Sequence, residues 1–110
     1  MIAKLWDWLQ SEEQYAGKTT LIITTDHGRG KGAKHGWKNH GRLISGSSQM
    51  WFAVLGPDIP ALGEIKTESQ YFQKQIAKTL AAFLGLDYLN AEPVGDAVKS
   101  MMIREEITFR

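Results

Sequence analysis

The stretch Leu21-Ile22-Ile23-Thr24-Thr25-Asp26-His27-Gly28 passes directly from apolar and β-branched residues to an acid, an imidazole and a glycine. Runs of this kind are typical of buried strands, so residues 19–25 predict one. Neighbouring side chains on a strand point to opposite faces, but Gly28 lets the chain leave the strand where Asp26 and His27 stand. Carboxylate and imidazole groups are common ligands of zinc, manganese and iron. The sequence therefore predicts metal ligands at the end of a strand.

The segments on either side indicate an α/β chain. Apolar residues recur at helical spacing in residues 2–14, which predicts an amphipathic helix. Residues 26–48 contain six glycines and read as a long loop, and loops of that length are usually functional or disordered. Residues 50–55 predict a second buried strand, which Gly56-Pro57 ends.

The C-terminal part predicts a second helix. Residues 67–70 fit a capping box, an apolar helical face follows, and Gly85 is placed to end the helix. Residues 94–102 suggest a further short helix, and residues 96–110 a loose tail in which Ile107 and Phe109 could add a strand. The order helix, strand, loop, strand, helix suits a layered α/β fold in a single partial domain over residues 1–110.

Composition excludes several classes of protein. Hydrophobic residues make up 43% of 110 residues, enough for a core, and the net charge of +1 points to no particular partner. The chain has no cysteine, which excludes disulfides and thiolate metal sites. No apolar run approaches the roughly 18–20 residues of a membrane span. Lys4 and Asp7 interrupt the apolar N-terminal stretch, so no signal peptide is predicted.

The glycine-rich loop is basic. There is no Asp or Glu from His27 to Pro57, and Trp37 lies between Gly36 and Lys38, where it could line a substrate cleft. Glycine lets backbone N–H groups approach an anion, and the basic side chains add an attractive field. A solvated loop and a loop that binds nucleic acid are the alternatives. The basic residues are Arg29, Lys31, Lys34, Lys38 and Arg42.

A serine-based site can also be drawn from this loop. Ser45, Ser47 or Ser48 could form a triad with His40 and Asp26, but no Gly-x-Ser-x-Gly elbow surrounds any of these serines. The metal interpretation therefore remains the stronger one.

Several segments together resemble the C-terminal metal-binding part of the alkaline phosphatase superfamily, which includes sulfatases, nucleotide pyrophosphatase/phosphodiesterases and cofactor-independent phosphoglycerate mutases. The matching segments are residues 20–30, Trp37-Lys38-Asn39-His40-Gly41, residues 51–57 and residues 75–86. One departure is Lys78, where members commonly have proline. The resemblance covers about residues 2–95 and implies a C-terminal fragment of a layered α/β/α sheet domain.

This resemblance implies specific roles. Asp26 and His27 would bind the metal ion that also holds the nucleophile, and His40 would bind a second one. Two divalent metal ions, with zinc favoured over manganese, would then serve hydrolysis of a phosphate or sulfate ester. The residues implied to contact the substrate are Arg29, Lys31 and Trp37.

The family places its Ser or Thr nucleophile and its other metal ligands upstream, in a region that has no counterpart in this sequence. The resemblance therefore implies a chain that binds metal weakly and is inactive alone, partnered by a missing N-terminal half or by a second copy of itself. The alternative is a non-catalytic binding or assembly module derived from the fold. A membrane partner is not expected, and nucleic acid is the weakest of the three hypotheses.

Overall fold

The computed structural model of the chain describes residues 1–31, 36–66 and 69–102. The described residues form a mixed α/β structure, in the order that the sequence predicts. Single 3₁₀ turns occur at Gly36–Lys38, Gln73–Gln75 and Lys99–Met101. The regular elements are helix α1 (Ile2–Ser11), strand β1 (Leu21–Thr24), strand β2 (Phe52–Leu55) and helix α2 (Ile76–Phe83). In the part that the structure describes, none of the helices has the length and apolar character that crossing a membrane requires.

The chain divides into two compact units. One comprises Met1–Leu21 and Val54–Arg110, and the other comprises Ile22–Ala53. The division falls within both strands, so the second unit is the glycine-rich loop with the adjoining ends of β1 and β2.

Strands β1 and β2 form a two-stranded antiparallel sheet. At one end the Thr24 hydroxyl donates to the Trp51 carbonyl at 2.8 Å, and at the other end Thr20 lies against Gly56. The prediction of two buried strands was wrong in degree, because every residue of both is half-buried or exposed. A two-stranded sheet gives each strand only one neighbour, which leaves its residues accessible.

Helix α1 ends at Ser11, three residues before the predicted end. The Ser11 hydroxyl donates to the Trp8 carbonyl at 2.7 Å, and Glu12 adopts an extended conformation. Serine favours helix ends because its hydroxyl competes for backbone groups in this way. None of the side chains of α1 is buried.

Helix α2 begins later than the capping-box pattern predicted. Ser69 and Gln70 are not helical, and Thr67 and Glu68 lie outside the described residues. The side chain of Gln75 instead accepts the backbone N–H of Phe72 at 2.8 Å. A glutamine that reaches back over the first turn satisfies a donor that the helix itself leaves unpaired.

The prediction that Gly85 ends α2 is confirmed. Gly85 has φ +68°, and the N–H of Leu86 donates to the carbonyl of Ala81 at 2.9 Å. This is the left-handed turn that glycine adopts at helix ends without steric cost.

Thr79 connects α2 to the C-terminal segment. Its hydroxyl donates to the Gln75 carbonyl at 2.7 Å and accepts the N–H of Val98 at 2.9 Å. Thr79 is 2% exposed and Val98 is 3% exposed. Residues 96–102 are therefore held against α2 here, and the short helix predicted for residues 94–102 is reduced to the turn at Lys99–Met101.

The same segment makes further polar contacts. Gln75 Nε2 donates to the Asp96 carbonyl at 3.0 Å, and Lys78 Nζ lies 3.5 Å from the Asp96 carboxylate. Lys78, the departure from the family pattern, thus contacts the C-terminal segment. Ile107 and Phe109 lie outside the described residues.

Replacing Thr79 by valine should lower the free energy of unfolding by about 1–3 kcal/mol, because the buried N–H of Val98 loses its acceptor while the side-chain volume is kept. Thr79→Ser keeps the hydroxyl and is the matched control, with a smaller loss expected. Urea unfolding of both variants measures the difference. Equal stability of Thr79→Val and the parent chain would contradict this role.

Candidate metal centre

Asp26 and His27 lie in a bend just beyond the end of β1. The Asp26 carboxylate accepts the backbone N–H of His27 at 2.9 Å, which holds the carboxylate back over the following residue. This local bond is typical of aspartate where a chain turns. The side chains are 85% and 41% exposed, respectively, so both groups are accessible to a ligand.

The ring of His27 is oriented by its own loop. Nδ1 lies 2.7 Å from the carbonyl oxygen of Gly28. A carbonyl only accepts, so Nδ1 carries the proton, and in the neutral ring the lone pair is on Nε2. A histidine that donates one ring N–H to a backbone carbonyl and points the other nitrogen outward has the arrangement of metal-binding histidines.

Nε2 of His27 faces the carboxylate of Asp26, with 3.6 Å between Nε2 and Oδ2. This is longer than a hydrogen bond. Two ligand atoms on one tetrahedral zinc, each about 2.05 Å from the metal, are about 3.3 Å apart. The two groups could therefore share one cation after a small adjustment, or a protonated ring could pair with the carboxylate.

His40 lies face to face with His27. The ring centres are 4.1 Å apart and the planes differ by 12°. The lone pair of an imidazole lies in the ring plane, so the lone pairs of the two stacked rings lie in nearly parallel planes. Two rings held this close could each provide a ligand to one of two neighbouring metal ions. Asp26, His27 and His40 are called the histidine cluster below.

Backbone contacts across the loop bring the two histidines together. The N–H of Gly30 donates to the carbonyl of Asn39 at 2.9 Å, and that of Gly28 donates to Ser47 at 2.7 Å. A Cβ on Gly28 would collide with the carbonyl oxygens of Gly46 and Gln49. Only glycine permits this approach.

The hydroxyl groups near the cluster serve the loop itself. Ser47, which is 9% exposed, directs Oγ to the carbonyls of Gly41 at 2.6 Å and Ile44 at 2.7 Å. Thr24 donates to the Trp51 carbonyl. These contacts give Ser47 a structural role, and the triad drawn from it gains no support. Nothing in the sequence predicted this role of Ser47 beyond its position next to Gly46.

The residues implied to contact substrate lie in the same unit. Trp37 is 55% exposed, and the guanidinium carbon of Arg29 and the ammonium of Lys38 lie 5.8 Å and 5.4 Å from its ring centre. Lys31 is exposed, with its N–H donating to the Ser45 carbonyl and its side-chain carbons against Gly46. Lys34 and His35 lie outside the described residues.

The donor set is small. Among residues 1–31, 36–66 and 69–102, no three His, Asp or Glu side chains are grouped so that they could hold a metal ion together. The histidine cluster thus offers a pair of ligands for one metal and a single ligand for another. Comparison with protein-family models, with curated proteins and with solved structures finds no match.

Replacing Gly28 by alanine should lower the free energy of unfolding by about 1–3 kcal/mol, because the added methyl group meets two backbone carbonyls that cannot move independently of the loop. Gly41→Ala is the control in the same loop, since its Cβ would meet only Ile44 Cγ1 at 3.6 Å, an ordinary contact. Urea unfolding compares the two variants. A Gly28→Ala chain no less stable than Gly41→Ala would show that the approach is not required.

Proposed function

We propose that this chain is the C-terminal metal-binding part of a metal-dependent phosphatase, phosphodiesterase or sulfatase-like hydrolase, with the layered α/β/α fold of the alkaline phosphatase superfamily. The observation that carries the proposal is the stacking of His27 on His40 beside Asp26. These are the residues to which the resemblance assigns metal binding.

The histidine cluster would contribute ligands to two divalent ions. Asp26 and His27 would share the first ion, and His40 would provide a ligand to the second, with zinc favoured by the mixture of carboxylate and imidazole and manganese as the alternative. The bond from His27 Nδ1 to Gly28 keeps Nε2 available. When bound, a pair of metal ions stabilises the attacking and leaving oxygens during displacement at phosphorus or sulfur.

The remaining ligands and the nucleophile would come from an upstream half, as the resemblance implies. The hydroxyls of Thr24 and Ser47 support this division, because both are engaged by backbone carbonyls. In this chain the cluster would provide metal ligands, and Arg29, Lys31 and Trp37, which lie in the same compact unit, would contact the ester.

The isolated chain should bind zinc weakly. A full structural site provides about 10–16 kcal/mol, and roughly half of that for two ligands corresponds to a Kd of about 1–200 µM. Isothermal titration calorimetry should give this affinity, and Asp26→Asn and His40→Gln should reduce the heat of binding. His35→Gln, to which the resemblance gives no role, is the control.

Tight stoichiometric zinc binding that Asp26→Asn leaves unchanged would contradict this assignment.

The same zinc-loaded chain should leave aryl phosphate and aryl sulfate esters intact, because hydrolysis needs a positioned nucleophile. Turnover that survives repurification and disappears in a Ser45→Ala, Ser47→Ala or Ser48→Ala variant would show that the site is complete.

A second candidate is a non-catalytic assembly module. It is favoured by the exposed apolar side chains Ile2, Leu5 and Trp8, which recur every three residues on α1 and are 45%, 46% and 51% exposed. Apolar surface arranged along one helix is usually covered by a partner. A second copy of the chain is the simplest occupant, since symmetric dimers are the commonest oligomers.

Sedimentation equilibrium at tens of micromolar should therefore detect a dimer or a larger species. Leu5→Glu should shift the population toward monomer, because burying a charge on an apolar interface is unfavourable. Lys4→Glu, which alters charge on the same helix without removing an apolar group, should leave association unchanged. A monomer at these concentrations in the parent chain would exclude the assembly module.

A further inference from the structure

Trp37 brings two cations together. The guanidinium of Arg29 and the ammonium of Lys38 both approach the same ring, at 5.8 Å and 5.4 Å from its centre. These distances are within the range in which the ring attracts a cation. Like charges repel, and the attraction of the ring for each offsets that repulsion. Arg29, Trp37 and Lys38 are called the tryptophan clamp below.

The tryptophan clamp lies beside the histidine cluster. Residues 27–31 and 36–40 run alongside each other, since His27 stacks on His40 and the N–H of Gly30 bonds to the Asn39 carbonyl. Arg29 is two residues from His27, and two residues span at most about 7 Å of chain. The backbone of Arg29 therefore lies close to the cluster, and an ester bound there could place a second anionic group toward the clamp.

The clamp lies in a part of the sequence that is poor in acids. Within the described ranges, neither Arg29 nor Lys38 forms an ion pair with a carboxylate, and both side chains are exposed. The sequence from Gly28 to Pro57 contains no acid at all. Two cations on one aromatic ring, without an acidic partner among the described residues, favour an external anion.

The sequence suggested that Trp37 lines a substrate cleft, and the two cations give its ring a further role. Both lie against the ring, so Trp37 also acts as a positioning residue. We infer that Arg29 and Lys38, positioned by Trp37, bind a second anionic group of the substrate, which is thus a phosphate or sulfate ester that carries a further negative charge. This inference rests on the proposed function, because the first anionic group is the ester bound at the histidine cluster.

The probe that tests the clamp is inorganic pyrophosphate, with inorganic phosphate as the single-anion comparison. Calorimetry is performed on the full chain in excess EDTA at about 0.15 M salt, so that metal binding does not contribute and distant charges are screened. Pyrophosphate should bind roughly tenfold more tightly than phosphate, since it carries more negative charge and more acceptor oxygens for the two cations.

The variants separate the clamp from general positive charge. Arg29→Gln and Lys38→Gln should each weaken pyrophosphate binding roughly three- to tenfold. Lys4→Gln on α1 and Arg42→Gln in the same loop remove an equal charge and should change it less than twofold. Trp37→Leu should weaken binding as Arg29→Gln does, whereas Trp37→Phe keeps an aromatic face and should restore most of the affinity.

Three results would overturn the inference: equal affinity for phosphate and pyrophosphate, an effect of Lys4→Gln as large as that of Arg29→Gln, or no effect of Trp37→Leu. Circular dichroism checks that each variant is folded, and the two glutamine variants decide the outcome if Trp37→Leu is not. The zinc titration is separate. If the chain binds pyrophosphate in this pattern but binds no zinc, the inference about the clamp stands and the proposed function fails. If the chain binds zinc but does not bind pyrophosphate in this pattern, only the inference about the clamp fails.

Discussion

The histidine cluster depends on the close approach of the Gly28 backbone to the carbonyl groups of Gly46 and Gln49. A β-carbon at Gly28 would occupy the space of those carbonyl oxygens. Gly28 also donates to Ser47 and supplies the carbonyl that orients His27. The residue that lets the chain leave β1 therefore closes the loop and fixes the tautomer of the neutral histidine ring.

Different kinds of contact stabilise the interior of each compact unit. In the glycine-rich unit, backbone hydrogen bonds and glycine contacts hold segments that expose most of their side chains. In the other unit, Thr79 pairs with the N–H of Val98 next to the buried Ala81. Few apolar side chains are fully buried among the described residues, so polar contacts hold much of the described structure in place.

The sequence predicted the type and order of the main elements because their signals are local. The β-branched residues of β1 and the glycine that ends α2 determine the backbone conformation of their own and adjacent positions. Ends set by side-chain hydrogen bonds were missed, since the bond of Ser11 to Trp8 and that of Gln75 to Phe72 leave no distinct pattern. Strand burial was overestimated for another reason. The apolar composition of a strand shows that burial would be favourable, but it does not show whether other residues are present to cover the strand.

The residues of the candidate site could be predicted from the sequence, but the stacking of their rings could not. Motif and resemblance pointed to Asp26, His27 and His40, whereas the stacking of the rings depends on loop contacts between residues distant in sequence. The same holds for Trp37, whose neighbours in the sequence suggested a surface for substrate, while the folded loop brings Arg29 to its ring.

Charge links the two parts of the loop. Asp26 is the only acid between Ile22 and Ala53, and the same segment contains five Lys and Arg residues. Divalent cations at the histidine cluster would add to this positive charge, and their repulsion from the basic residues opposes binding. An anion between the metal ions and the tryptophan clamp reduces that repulsion on both sides. Metal and anion should then each strengthen the binding of the other, because coupling between two ligands is reciprocal. If the proposed function is correct, a loop so poor in acids would therefore hold metal ions together with an anionic ester better than metal ions alone.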